Sequence, residues 1–315
     1  MPLRSESRVT HLAVVTGASR GIGEAIAKRF AAQGITVAAV SRTLRPGTGV
    51  LEGSLDETVE QINSAGGRAR AFAADLGDPS LDRTALIAEI EDSMGGRVDI
   101  LVNNAAGARR YETTMLQLER DQFLEAVEIN MWNAWDLIKS VVPSMRRAGA
   151  GWIVNISSRL AAPRVGPPFP PHPLRGSVLY GTSKAMIDRL TTGAAMELYE
   201  YGIAVNALSP NRGVATEHAS RAVPGWPSEP LETMAEATLL LSTSDPAKVT
   251  GRVAYSLPLL KEFQRPVRTL DGLQLLEGWQ PADLDEASFL RDYLVFEAAP
   301  PVPNVPVLGA TVTVE

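Results

Sequence analysis

Thr16-Gly17-Ala18-Ser19-Arg20-Gly21-Ile22-Gly23 follows directly on the apolar run Leu12-Ala13-Val14-Val15. Glycines let a chain turn sharply and bring its backbone close to a ligand. A helix that opens straight after such a turn offers free N–H groups and the positive end of its dipole, which suits a pyrophosphate. The spacing here is G-x-x-x-G-x-G, not the G-x-G-x-x-G of the general dinucleotide fingerprint. Its position, between a strand and a helix, predicts the first unit of a nucleotide-binding α/β fold.

The rest of the chain keeps that rhythm. Strands are predicted at 11–16, 36–41, 68–74, 98–103, 152–157 and 203–209, with helices between them, the first two at about 21–33 and 54–65. Regular alternation of strand and helix implies a parallel sheet covered on both faces. The expected fold is therefore α/β, a Rossmann-type doubly wound parallel sheet in a single domain over 1–257. After Leu257 the alternation fades, so 258–315 is predicted to be a C-terminal extension, an arm or partly disordered.

Composition narrows the function. Apolar residues make up 45% of the 315, and charged residues 21%, as in an ordinary globular chain. No apolar run approaches the ~18 residues needed to cross a bilayer. The N-terminus lacks a signal-peptide core. Cysteine is absent, which excludes disulfide and thiolate chemistry. The three histidines are scattered, giving no metal-ligand spacing. A net charge of −6 argues against nucleic-acid binding. A cytoplasmic enzyme acting on a small molecule is the expectation.

Further motifs follow the glycine turn in order: Asp75-Leu76 after the third strand, Asn103-Asn104-Ala105-Ala106-Gly107 after the fourth, Ile153-Val154-Asn155-Ile156-Ser157-Ser158, and Tyr180-Gly181-Thr182-Ser183-Lys184. Together with TGASRGIG they resemble the classical short-chain dehydrogenase/reductase family over about 11–257. The resemblance implies a nicotinamide dinucleotide bound by Gly17, Ser19, Arg20, Gly21, Ile22 and Gly23, with Asp75 and Leu76 at the adenine and Asn104 and Ala105 further along.

The end of the second strand bears on which dinucleotide is bound. NAD-binding folds usually place an acid there for the ribose 2′-hydroxyl. This chain reads Val40-Ser41-Arg42-Thr43 instead. Arg42, with Arg20 approaching from the glycine turn, suits a 2′-phosphate, so NADP(H) is the expected cofactor.

On a helix, Tyr180 and Lys184 share a face. A free phenol, with a pKa near ~10, is a poor proton shuttle at neutral pH, and a nearby cation lowers that value. The resemblance makes Tyr180 the general acid/base, and makes Lys184 also a hydrogen-bond donor to the nicotinamide ribose. The same resemblance implies that Ser158, with Ser157 as the alternative, polarises the substrate oxygen, and that Asn130 supports a water relay to the lysine.

Several features depart from the family. The interval from Ser158 to Tyr180 is long and proline-rich, and is expected to flank the substrate mouth. Pro210-Asn211 stands where the family reads Pro-Gly, and asparagine is expected to keep a positive-φ turn there. Thr216 resembles the threonine at the nicotinamide amide, one residue out of register. Leu160, Phe169 and Trp226 suggest a pocket for a bulky hydrophobic ketone or alcohol. Arg109 and Arg110 suggest instead an anionic group, as in a 3-oxoacyl-thioester reductase; a non-catalytic dinucleotide-binding sensor is the reading outside the enzyme class. The family's glycine-rich end is replaced by Ser256-Leu257-Pro258-Leu259-Leu260, and the assembly expected is a homodimer or homotetramer.

Overall fold

A computed structural model describes residues 11–47, 52–107, 114–163, 177–214 and 228–278. The first half alternates β1 (Leu12–Thr16), α1 (Gly21–Ala32), β2 (Thr36–Ser41), α2 (Leu55–Ser64), β3 (Ala69–Ala73), α3 (Arg83–Met94) and β4 (Ile100–Asn103). Then come α4 (Arg120–Val127), α5 (Asn133–Ala148), β5 (Gly151–Ile156), α6 (Ser177–Leu198) and β6 (Ile203–Ser209). Two short strands, β7 (Gly213–Val214) and β8 (Ser228–Glu229), pair with each other in parallel. α7 (Leu231–Thr243), β9 (Val253–Tyr255) and α8 (Ser256–Glu262) are the last α-helices and strand of the described residues.

Seven strands form one sheet in the order β3-β2-β1-β4-β5-β6-β9, every pairing parallel. This is the Rossmann-type doubly wound fold expected from the alternation. Side chains of a strand point alternately to the two faces, so a strand buried on both reads as an unbroken apolar run. β1 shows this directly. Ala13 and Val15 pack with Ile26, Phe30, Met234 and Leu239 of α1 and α7, while Leu12 and Val14 pack with Leu86, Ile90, Leu137 and Val141 of α3 and α5. The strand order reverses between β1 and β4, and that switch point opens the ligand crevice of such sheets. The glycine turn stands there.

Leu257, the expected boundary, lies inside α8. Leu259, Leu260 and Val267 are fully or almost fully buried in the α1/α7 side of the core. Pro258 sits in the first turn of α8, where the missing N–H costs nothing. An ion triad pins the same region: Glu236 of α7 accepts hydrogen bonds from Arg29 of α1 and Arg265, each at 2.7 Å. The chain therefore packs onto the sheet domain well past 257. Residues 279–315 lie outside the described residues.

Candidate active site

The glycine turn is built by close approach. A Cβ at Gly23 would run into the Gly17 carbonyl oxygen and the Asn104 amide, so only glycine lets α1 start this near β1. Asn104 donates to the Thr16 carbonyl at 2.9 Å, while the backbone N–H groups of Asn104 and Ala105 both donate to the Thr16 hydroxyl. The ends of β1 and β4 are thereby locked side by side. A turn whose glycines have no room for a Cβ brings bare backbone to the crevice, which fits the dinucleotide expected here.

Around the turn, Ser19 and Ser41 hydroxyls meet at 3.1 Å, and Arg20 donates to the Thr43 hydroxyl and the Gly53 carbonyl. Arg42 lies 3.6 Å from Asp75 in an ion pair about half exposed on both sides. Leu76 is buried, and its carbonyl accepts from the buried Arg83, which also pairs with Glu128. Arg83 thus braces the Asp75-Leu76 loop against the helix that carries Asn130. Its role has no sequence motif to reveal it.

At the other end of the crevice, β5 delivers Ser157 and Ser158. Ser157 is buried, whereas the half-buried Ser158 caps a short turn and accepts from the Leu160 N–H at 3.2 Å. α6 carries Tyr180 and Lys184, with the lysine Nζ 5.7 Å from the centre of the Tyr180 ring. A Cβ at Gly181 would lie 2.5 Å from the Leu160 carbonyl oxygen, so glycine allows α6 to seat against the turn after Ser158. Lys184 is 3% exposed and donates to the Ile156 carbonyl at 2.8 Å.

Burial lowers the Lys184 pKa to about 8, with Asp188, one helical turn on, opposing the shift. Burial raises Asp188 to about 6, against a hydrogen bond from Ser157 and the charge of Lys184. Asp188 is a second residue that sequence reasoning did not single out. The i, i+4 spacing from Lys184 was the signal available.

Asn130 sits in a π-helical turn, Glu128–Trp132, between α4 and α5. Such single-turn π-bulges in helices are frequent at functional sites. The Asn130 amide accepts from Gly107 N–H at 2.9 Å and donates to Ser183 at 3.1 Å, joining the loop after β4 to α6 beside Lys184.

Not every expectation holds. Among the described residues only Gln264 is a non-glycine at positive φ, so Asn211 does not adopt the left-handed turn expected of it. Its N–H is instead tied to Glu229 and Ser256, which removes the need for glycine-like backbone freedom. Thr216, Phe169, Trp226, Arg109 and Arg110 lie outside the described residues.

A Rossmann-type sheet with a glycine turn at its switch point, and with Tyr180 and Lys184 at the same end of the sheet, defines a nicotinamide-dependent class of oxidoreductase. The short chain dehydrogenase family model matches residues 11–224, and the chain belongs to that family. An uncharacterized oxidoreductase of Mycobacterium tuberculosis is 34% identical over 248 residues, covering 78% of this chain and 84% of that protein. A metagenomic short-chain oxidoreductase solved with NADP superposes with a TM-score of 0.63 at 26% identity, over 78% of this chain and 96% of that one. A 3-oxoacyl-[acyl-carrier protein] reductase of Brucella melitensis with bound NAD gives a TM-score of 0.64 at 29% identity, over 78% and 88%. Similar folds thus occur with either dinucleotide, so the choice rests on local residues.

Proposed function

We propose that this chain is an NADP(H)-dependent oxidoreductase that interconverts a carbonyl and a secondary alcohol, with Tyr180 moving the proton. The observation that carries the reading is the placement of Tyr180 above a buried lysine, Nζ 5.7 Å from the ring centre. The bound dinucleotide supplies or takes up the hydride. Gly17, Ser19, Gly21, Ile22 and Gly23 hold its pyrophosphate, and Arg42 and Arg20 its 2′-phosphate. Asp75 and Leu76 flank the adenine, and Asn104 and Ala105 close the crevice floor. Lys184 holds the nicotinamide ribose and favours the phenolate of Tyr180.

Ser158 orients the substrate oxygen and stabilises negative charge developing on it. Asn130 connects the lysine region to Gly107 and holds water there for proton exchange. Leu160, on the turn after Ser158, is the described part of an apolar substrate wall.

The assembly we propose is a dimer through α5 and α6. These helices border a groove of about 1100 Å³ lined by Met131, Trp135, Val142 and Leu190, among others. Trp135 is 42% exposed there, and Met196 of α6 is 74% exposed. A mass measurement in solution reads this directly.

The test of the chemistry is NADPH consumption across aliphatic, aromatic, steroidal and thioester ketones. At least one should be reduced, and Tyr180→Phe should cost roughly 10²- to 10⁴-fold, the usual contribution of general acid–base catalysis. Near wild-type turnover in that variant would remove the assignment.

A further inference from the structure

Two departures from the family pattern, Asn211 and Ser256, lie 45 residues apart in the chain yet meet at one carboxylate. Glu229 is 3% exposed. It accepts from the Asn211 N–H at 3.0 Å and from the Ser256 hydroxyl, which is 2.8 Å from each of its oxygens. The Arg212 N–H is a further donor to it. Among the described residues all of these donors are neutral. Burying a carboxylate among neutral groups is expensive unless its lone pairs are filled. The ring of donors offsets part of that cost, and an amide in the same place would set an NH₂ against N–H groups.

What the carboxylate fixes is the turn at the C-terminal end of β6. That end lies beside the end of β5, where Ser157 N–H donates to Leu208. The Asn211 carbonyl in turn accepts from the Arg159 guanidinium at 3.2 Å, and Arg159 follows Ser158 directly. A chain of contacts therefore runs from Glu229 through the Asn211 backbone to the residue next to the expected carbonyl-orienting serine. Burial pushes the Glu229 pKa up to about 7 against these hydrogen bonds.

We propose that Glu229 is a positioning residue for the nicotinamide end of the site, holding the Pro210–Arg212 turn and, through Asn211, the Ser158–Arg159 segment. The inference rests on the cofactor reading above and names the residue that sets that end of it. Ser256 is its partner, standing where the family's glycine-rich end is lost.

The experiment compares the full chain with Glu229→Gln and Ser256→Ala. Dissociation constants are measured by fluorescence for NADPH and for adenosine 2′,5′-bisphosphate, which carries the adenine and 2′-phosphate but no nicotinamide. Loss of hydrogen bonds to a charged group predicts a rise in NADPH Kd of about tenfold for Glu229→Gln and about threefold for Ser256→Ala. The fragment Kd should stay within about twofold in both, because its contacts lie at the opposite end of the crevice. A purely structural role would weaken both ligands alike, and that result overturns the proposal. So does an unchanged NADPH Kd.

Should Glu229→Gln fail to fold, the Ser256→Ala pair of constants decides. Wild-type chain that binds NADPH but reduces no ketone would defeat the proposed activity while leaving this comparison standing. Wild-type chain that binds no NADPH would remove the cofactor reading, and this inference with it.

Discussion

The Arg42 guanidinium stands 3.6 Å from the Asp75 carboxylate just beyond the ends of β2 and β3, and each side chain is about half exposed. An ion pair this exposed contributes little to stability, roughly 0.2–1 kcal/mol. It does keep the guanidinium at the edge of the crevice, where Asp75 competes with any phosphate for it. Arg42→Ala is expected to raise the KM for NADPH roughly tenfold while leaving that for NADH nearly unchanged, since a charge-assisted contact to phosphate is lost. Asp75→Asn should act oppositely and modestly, lowering the NADPH KM by about twofold as the competing anion goes. Equal changes for both dinucleotides in Arg42→Ala would refute the assignment.

The role proposed for Lys184 predicts an alkaline limb of activity. Its pKa of about 8 arises from burial, and Asp188 holds it up from falling further. Below about pH 8 the ammonium is present beside Tyr180; above it the charge is lost, and turnover should fall. For stability the sign is opposite: the fold disfavours charged Lys184, a cost that fades as pH rises from 8 toward the ordinary 10.5. Asp188→Asn removes the supporting anion, so the alkaline limb should move to lower pH. A pH profile of kcat/KM in both proteins measures this, and a limb that stays put or moves upward contradicts it.

The buried triad of Arg29, Glu236 and Arg265 makes a stability prediction. Arg29 and Glu236 side chains are 3% and 1% exposed. Glu236→Ala leaves Arg29 buried without its counter-charge, which costs about 3–5 kcal/mol. Ending the chain at Leu257 should be worse. It deletes Leu259, Leu260 and Val267, all in the core, and burial losses of about 2–5 kcal/mol for each leucine rival the whole stability of a domain. Urea unfolding checks both; a chain ending at Leu257 that unfolds cooperatively at the wild-type midpoint would show that these core contacts are dispensable.

The parts of the site that were legible in the sequence are the local ones. TGASRGIG is contiguous, Tyr180 and Lys184 are one helical turn apart, and a β-strand buried on both faces announces itself as an apolar run, as Leu12–Val15 does. Contacts across the fold left no such trace. Glu236 meets Arg29 across 207 residues, and Glu229 meets Ser256 across 27. Nothing local distinguishes either from a solvated glutamate.

The segment after Leu257 was hidden for a related reason. Leu259, Leu260 and Val267 are buried by a short helix and irregular chain, which carry no extended 3.6 or 2 periodicity to read. Asn211 was expected at positive φ because residue type alone suggested how the turn is preserved. The structure preserves it through hydrogen bonds from elsewhere.

Glu229 carries the last prediction, since its environment makes it a pH-sensitive element of stability. Its pKa stands at about 7 in the fold against 4.5 unperturbed, with burial as the dominant cause. A carboxyl raised on folding favours the native state while protonated, so that contribution is complete below pH 4.5 and is lost as pH rises through 7. The swing is roughly 3 kcal/mol. Glu229→Gln is neutral at every pH and lacks it. Asp188, raised to about 6, titrates in the same window but is common to both proteins and cancels in their difference. Urea unfolding of wild type and Glu229→Gln at pH 5 and pH 8 should therefore show the wild type losing ground to the variant as pH rises. A difference that is flat with pH, or that grows in favour of the wild type, would mean that Glu229 is ionised at little cost and that its donors outweigh its burial.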